Sequence, residues 1–279
     1  MLKIELFNDE AVRNGSSERV TRAFDRYTAF ARMSPSFFII GAQKAGTTSL
    51  YYHLIQHPLL ARPKRKEIFF FNNALYYQQG MNAYRANFPM KLPLFTSGKQ
   101  TFEATTTYLE SEECPMRIKK EFPDAKFIVM LRNPVQRAYS HYRMSVKLGF
   151  EKATFAEAVE QEEERIIYGA NADHNYHLQR LGYVSKGKYA LQLEKWLAVF
   201  DRKNFFFIEL NQWRQDAPRI FAEVQSFLNL SPYQPTSFQR MNQGEKSEPA
   251  DPKVFEKLNS FYIEHNARLY DLLEINYNW

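Results

Sequence analysis

The string Gly41-Ala42-Gln43-Lys44-Ala45-Gly46-Thr47-Thr48-Ser49-Leu50 has the make-up of an anion cradle. Small residues let backbone N–H groups approach phosphate oxygens, and a helix starting after Gly46 would aim its N-terminus at the same oxygens. Lys44 adds a mobile positive charge, and Thr47 and Thr48 add hydroxyl donors. Gly41 and Gly46 have the spacing of the triphosphate loop G-x-x-x-x-G-K-[ST], but Thr47 stands where that motif places lysine, which has moved inside to Lys44. No clear metal-binding aspartate follows a later strand. The competing reading is an ordinary glycine-containing strand–helix turn.

A second anion-binding element is Arg132-Asn133-Pro134-Val135-Gln136-Arg137-Ala138-Tyr139-Ser140. An arginine at a strand end can fork onto a phosphate, and a serine about two turns into the next helix can donate to it. Arg137 reads equally well as a helix-surface charge. Glu67, in Lys66-Glu67-Ile68-Phe69-Phe70-Phe71, is the candidate general base, because three aromatics after it would lower the local dielectric. The plainer reading is a surface carboxylate paired with Lys64 or Lys66. His174 and His177 lie in a polar stretch with no further metal-ligand pattern, so a loop is expected there. His53 and His57, at helical spacing, are expected to pack, and His141 to face solvent or core.

Three short apolar runs must position these groups: Phe37-Phe38-Ile39-Ile40, residues 126–131 and residues 205–210. Runs of this length without alternation read as strands buried on both faces. Helices are expected from Gly46 to His57-Pro58, from Asn133-Pro134, around 189–200, around 218–228, and from Asp251-Pro252 to about Leu273, where Asn or Asp before Pro marks an N-terminus. Another is expected over 17–33, with Val20, Phe24, Tyr27 and Phe30 at helical spacing. Strands alternating with helices imply an α/β domain with a central parallel sheet flanked by helices and ligands at the carboxyl ends of its strands, near 41–48 and 132–140. Residues 1–35 read as a helical extension packed on a single domain of residues 36–279.

Composition sets bounds. Hydrophobic residues at 44% and charged residues at 24% supply a sizeable core and argue against global disorder. Aromatics at 16% serve either that core or stacking on purine or sugar rings. A net charge of +6 and a pI near 9.2 favour anionic partners without choosing among them. Cys114 is the only cysteine, so no intramolecular disulfide forms, which fits a reducing compartment. The N-terminus carries charges where a signal peptide would be apolar, and no apolar run reaches the roughly 18 residues of a membrane span. The expectation is a soluble cytoplasmic protein.

Q-K-A-G-T-T-S-L after an F-x-I-I-G strand resembles the 5′-phosphosulfate loop of sulfotransferases that use 3′-phosphoadenosine 5′-phosphosulfate (PAPS), particularly the heparan sulfate and carbohydrate branch. The resemblance implies that Lys44 contacts the bridging oxygen and the 5′-phosphate, with Gln43, Ala45, Gly46, Thr47 and Thr48 around them. Residues 131–142 resemble the family's 3′-phosphate motif L-R-[ND]-P-x-x-R-x-x-S-x-Y, which carries over Arg132 and Ser140. Lys66–Phe71 resembles its E-x-x-F-F segment, which carries over Glu67 as the base. The patterns around Gly187–Phe200, Val224–Leu230 and His265–Tyr270 are similar too, so the likeness spans most of the chain.

Three departures stand out. Ala104 occupies the place of a lysine that often follows Glu103 in that branch. The C-terminal disulfide loop is absent, and so is a K-G-R cofactor contact, for which Lys246 is the nearest substitute. The resemblance implies a sulfotransferase fold related to P-loop nucleotide kinases. It implies sulfuryl transfer from PAPS to a hydroxyl or amine, most readily on a carbohydrate, with no metal, no nucleic-acid partner and no membrane span. A nucleotide-dependent phosphotransferase and a non-enzymatic acidic-glycan-binding protein are the alternatives.

Overall fold

In the computed structural model, residues 24–167, 178, 180–238 and 251–279 are described. Four strands form one parallel sheet in the order β2-β1-β3-β4: β1 Phe37–Gly41, β2 Phe102–Ala104, β3 Lys126–Leu131 and β4 Phe205–Glu209. The three apolar runs are strands, as expected. β2 was not anticipated, because it is three residues long and has a carboxylate, Glu103, at its centre. Every residue of β1 and β2 is buried, which requires cover on both faces of the sheet.

The cover comes from six principal helices: α1 Thr47–Leu54, α2 Cys114–Glu121, α3 Pro134–Lys147, α4 Tyr189–Leu197, α5 Ala217–Phe227 and α6 Pro252–Leu273. The cap-and-proline signals act as chemistry predicts. The Asn133 side chain accepts from the N–H groups of Val135 and Gln136 at 3.1 Å, and Asp251 accepts from Lys253 at 2.9 Å. Helix α1 stops at Leu54, short of His57, whose ring turns inward: Nδ1 accepts from Leu59 N at 3.1 Å and Nε2 meets Ser231 O at 2.9 Å.

Aromatic packing joins the layers. Phe37 and Phe102 stack across neighbouring strands at 4.8 Å, and Phe127 meets Trp196, Phe200 and Phe205 at 5.1, 4.6 and 4.9 Å. Each fully buried ring contributes about 1.5–3 kcal/mol through removal from water.

The N-terminal reading needs correction. Residues 24–27 are helical and Ala29–Ala31 form a 3₁₀ turn, but Phe24, Tyr27 and Phe30 are exposed. Attachment is both apolar and polar: Ala29 and Met33 are buried, Arg32 is buried and donates to Phe88 O at 2.7 Å, and Met33 N donates to Pro89 O at 2.8 Å. Residues 17–23 of the expected helix lie outside the described residues. Among those described, no helix is long and apolar enough to cross a membrane.

The strand order fixes where a ligand can sit. β2 lies on one side of β1 and β3 on the other, so the chain reverses direction across β1. Connections diverge at such a point and leave a crevice at the carboxyl ends of β1 and β3.

Candidate active site

The loop leaving β1 fills that crevice. Ala42 N donates to Met130 O at 2.7 Å, which fastens the loop to β3. Lys44 and Gly46 have φ of 71° and 95°, the left-handed turns that converge backbone N–H groups on an anion. Gly46 cannot be replaced cheaply, because its φ of 95° strains any residue that carries a Cβ, and that Cβ would also lie 2.6 Å from Leu210 Cδ1. It is also the N-cap of α1, with no side-chain cap and no acidic residue in the first turn. The helix therefore presents its positive end and its first-turn N–H groups, together with Thr47 and Thr48, to whatever occupies the loop.

Arg132 closes the other side of the crevice. Its Nη1 donates to Lys44 O at 3.2 Å, and its own carbonyl accepts from Tyr189 Oη at 2.9 Å. Arg132 Nε is buried without a hydrogen-bond partner among the described residues, as are Arg137 Nε and Nη1. Arg137 is wholly buried and donates to Tyr183 O, so it is not the helix-surface charge that one reading of the sequence allowed. Ser140 is half-buried in the second turn of α3 between Arg137 and Arg143, positions that share one helix face.

Cations crowd this crevice. Burial, then the charges of Arg132, Arg137, Arg143 and Lys66, push the Lys44 ammonium down to about 8. Burial first, then Arg214, lowers Arg132 to about 10. Orphaned guanidinium N–H groups, an uncapped helix N-terminus and a destabilised ammonium fit an anion with more than one phosphate or sulfate group.

Glu67 lies beside this cluster. Its Oε2 accepts from Thr106 N at 2.9 Å and its Oε1 from Thr106 Oγ1 at 3.2 Å and from the Lys66 ammonium. Lys64 pairs instead with Asp25. The expected aromatic surroundings are a second correction: Phe70 and Phe71 turn into the core against Tyr84 at 4.9 Å, and the carboxylate sits among polar donors. The same Lys66 contributes to lowering Lys44, so Glu67 and Lys44 share one electrostatic neighbourhood.

Sequence reasoning missed Lys186. Its Nζ donates to Gln43 Oε1 at 2.9 Å and pairs with Glu110 at 2.8 Å, although the side chain is almost fully buried. With its oxygen held by Lys186, the Gln43 amide is left to offer N–H groups to the loop. Burial outweighs the pairing for both partners, lowering Lys186 and raising Glu110. The turn Ser185–Gly187 that carries the lysine is held from several sides. Glu162 accepts from Val184 N and Ser185 N at 2.5 and 2.7 Å, and Tyr262 Oη donates to Val184 O at 2.7 Å. Lys186→Met is expected to cost about 3–5 kcal/mol by stranding Glu110, and Lys186→Met with Glu110→Gln to recover most of it. Thermal denaturation checks this, and a double variant no more stable than the single would refute it.

Beyond Ser49 on α1 opens a cavity of about 160 Å³ lined in part by Ser49, His53, Trp213 and Phe238. Its rings are mutually packed, with His53 at 5.8 Å from Trp213 and 4.9 Å from Phe238. His53 and His57 are both buried, and His141 packs in the core against Tyr183 at 5.1 Å. Lys246, His174 and His177 lie outside the described residues. Among those described, no group of three potential metal-ligating side chains occurs.

A parallel sheet with an anion loop after β1 and an arginine after β3 defines a group-transfer fold, and comparison with known proteins specifies the group. Residues 34–264 match the family described as "Sulfotransferase domain", so the chain belongs to the sulfotransferase domain family and is an enzyme of that class. Its fold is the sulfotransferase fold that the phosphate motifs implied. It is similar to the bifunctional heparan sulfate N-deacetylase/N-sulfotransferase 4 of Mus musculus, 31% identical over 268 residues covering 86% of this chain and 30% of that protein. It is also similar to the membrane-associated sulfotransferase kil1 of Dictyostelium discoideum, 23% identical over 316 residues covering 88% of this chain and 66% of that protein. Among solved structures, the sulfotransferase from Alicyclobacillus acidocaldarius superposes with a TM-score of 0.68 at 30% identity, covering 87% of this chain and 97% of that one. The chain spans about 30% of the length of the heparan sulfate relatives it matches.

Proposed function

We propose that this sulfotransferase moves a sulfuryl group from PAPS to a hydroxyl or amine of a carbohydrate, with Glu67 as general base and Lys44 stabilising the leaving group. The observation that carries the reading is the meeting of Lys44, Arg132 and the uncapped N-terminus of α1 in one crevice. Two anion-binding elements suit a donor with separate 5′ and 3′ groups. The loop of residues 43–48 would take the phosphosulfate, and Arg132 and Ser140 the 3′-phosphate. The aromatic cavity beside Ser49 would take the adenine by stacking.

In the transfer, the acceptor oxygen or nitrogen bonds to sulfur while the bond from sulfur to the bridging oxygen breaks. The bond's electron pair stays on the 5′-phosphate beside Lys44, and the acceptor proton passes to Glu67. The positive charge of Lys44, Arg132 and the helix N-terminus fills the role Mg²⁺ plays in triphosphate loops. A carbohydrate acceptor is supported by the heparan sulfate enzymes among the relatives.

Calorimetric titration with 3′-phosphoadenosine 5′-phosphate in the presence of EDTA, beside ATP with and without Mg²⁺, tests the reading. The bisphosphate is expected to bind without metal and much more tightly than ATP. Mg²⁺-dependent ATP binding without bisphosphate binding would instead favour a phosphotransferase and withdraw the role given to Ser140.

A further inference from the structure

Glu103 is fully buried at the centre of β2, paired in register with Phe38 of β1, and no cation neutralises it among its bonded partners. Its carboxylate accepts three hydroxyl protons: from Tyr84 at 2.5 Å, Tyr108 at 2.6 Å and Thr105 at 2.7 Å. A hydroxyl that has donated its one proton has only lone pairs left to offer. Two of the three offer them to the segment that follows Glu67. Thr105 Oγ1 accepts from Ile68 N at 3.0 Å and Phe69 N at 3.5 Å, and Tyr108 Oη accepts from Phe70 N at 3.0 Å and Phe71 N at 3.2 Å. Four consecutive backbone amides thus hang from two hydroxyls whose polarity one carboxylate sets.

The segment needs such restraint. Glu67 and Phe69 both adopt left-handed backbone, at φ 61° and 59°, a conformation that side chains other than glycine resist. Two such residues within three positions persist only where the surroundings over-determine them. Glu67 itself is tied through its backbone N–H to Ala104 O at 2.9 Å, again on β2. Burying an unpaired carboxylate is unfavourable, and burial pushes Glu103 up to about 7 against the opposing pull of its three hydroxyl donors. A core built only for stability would place an apolar side chain here.

We infer that Glu103 is a positioning residue for Glu67: as an acceptor-only hub it orients the Thr105 and Tyr108 hydroxyls so that the left-handed segment 67–71 holds the Glu67 carboxylate on the rim of the phosphate loop. The inference rests on Glu67 being the base. Glu103→Met removes both accepting oxygens, so the Thr105 and Tyr108 hydroxyls lose the acceptor that turns their lone pairs to the backbone amides, whereas Glu103→Gln can keep the oxygen those two share and face its NH₂ group to Tyr84.

The test is a double-variant cycle between Glu103→Met and Glu67→Gln at pH 8. PAPS consumption is followed with N-desulfated heparan sulfate as acceptor, and bisphosphate affinity is measured by calorimetry. Glu103→Met is expected to lower kcat about 10–100-fold with bisphosphate affinity within about 2-fold, and to lower it no further in the Glu67→Gln background, while Glu103→Gln keeps most of the activity. A folded Glu103→Met enzyme with unchanged kcat, or a loss that adds in full to that of Glu67→Gln, overturns the inference. If Glu103→Met does not fold, the near-isosteric Thr105→Val removes the hook at Ile68 and takes its place in the same cycle, with about a 10-fold loss expected. Unchanged kcat in Glu67→Gln itself would sink the base assignment and this inference with it, which separates the two failures.

Discussion

Replacing Lys44 by methionine is expected to lower turnover about 10²–10³-fold and at the same time to raise the melting temperature of the ligand-free protein by several degrees. Both effects follow from one fact, the placement of a buried ammonium among Arg132, Arg137, Arg143 and Lys66. Turnover falls because negative charge grows on the bridging oxygen during transfer, and a preorganised cation there acts on the transition state more than on the ground state. Stability rises because the folded protein holds the Lys44 proton less firmly than the unfolded chain does, at about 8 against 10.5. For a base shifted in that direction, the cost is present in full below about pH 8. It fades as pH climbs toward 10.5, so wild type gains on the variant across that window. The shift corresponds to as much as roughly 3 kcal/mol at pH 7. Calorimetric melting at pH 7 and pH 10, beside a turnover assay, checks both halves. Normal turnover would remove Lys44 from the mechanism, and an unchanged melting temperature at pH 7 would remove the argument from burial and repulsion.

Glu67→Gln is expected to lower kcat by about 10²–10⁴-fold while bisphosphate affinity changes by less than about 3-fold. Glutamine keeps an oxygen for Thr106 N, so the loop's attachment to the end of β2 survives, but a neutral amide cannot take the acceptor's proton. The charge released in this variant is that of Lys66, which loses its carboxylate partner. Freed cationic charge near Lys44 favours an anionic donor, so any change in affinity should be a gain. Single-turnover kinetics with saturating PAPS separates the chemical step from binding. A large affinity loss with little change in the chemical step would make Glu67 a structural residue.

Much of this site was readable from the chain because its chemistry depends on local pattern. Gly41–Leu50 announces an anion loop through residue type alone, and β1, β3 and β4 stand out because strands buried on both faces are continuous apolar runs. Asn133-Pro134 and Asp251-Pro252 mark helix starts through short-range hydrogen bonds that need no tertiary context. What stayed hidden is buried charge. Lys186, Glu103 and Arg137 look like surface residues in one dimension, since the local pattern does not show that hydroxyls, carbonyls or an opposite charge will arrive from 2 to 143 residues away. The same blindness misplaced the aromatics: Phe24, Tyr27 and Phe30 have core-like spacing but face outward, and Phe70 and Phe71 leave Glu67 for the core. Period predicts that a face exists, and tertiary packing decides which face is used.

The crowding of like charges behind the phosphate loop makes ligand capture a form of ion exchange. Sulfate or inorganic phosphate in the medium compensates part of the same repulsion, so the nucleotide must displace them to bind. Its apparent affinity should then fall in proportion to the concentration of competing dianion, more steeply than general ionic screening by chloride would give. Release of the bisphosphate after transfer is subject to the same exchange, and the speed of the cycle becomes a property of the surrounding electrolyte as well as of the enzyme.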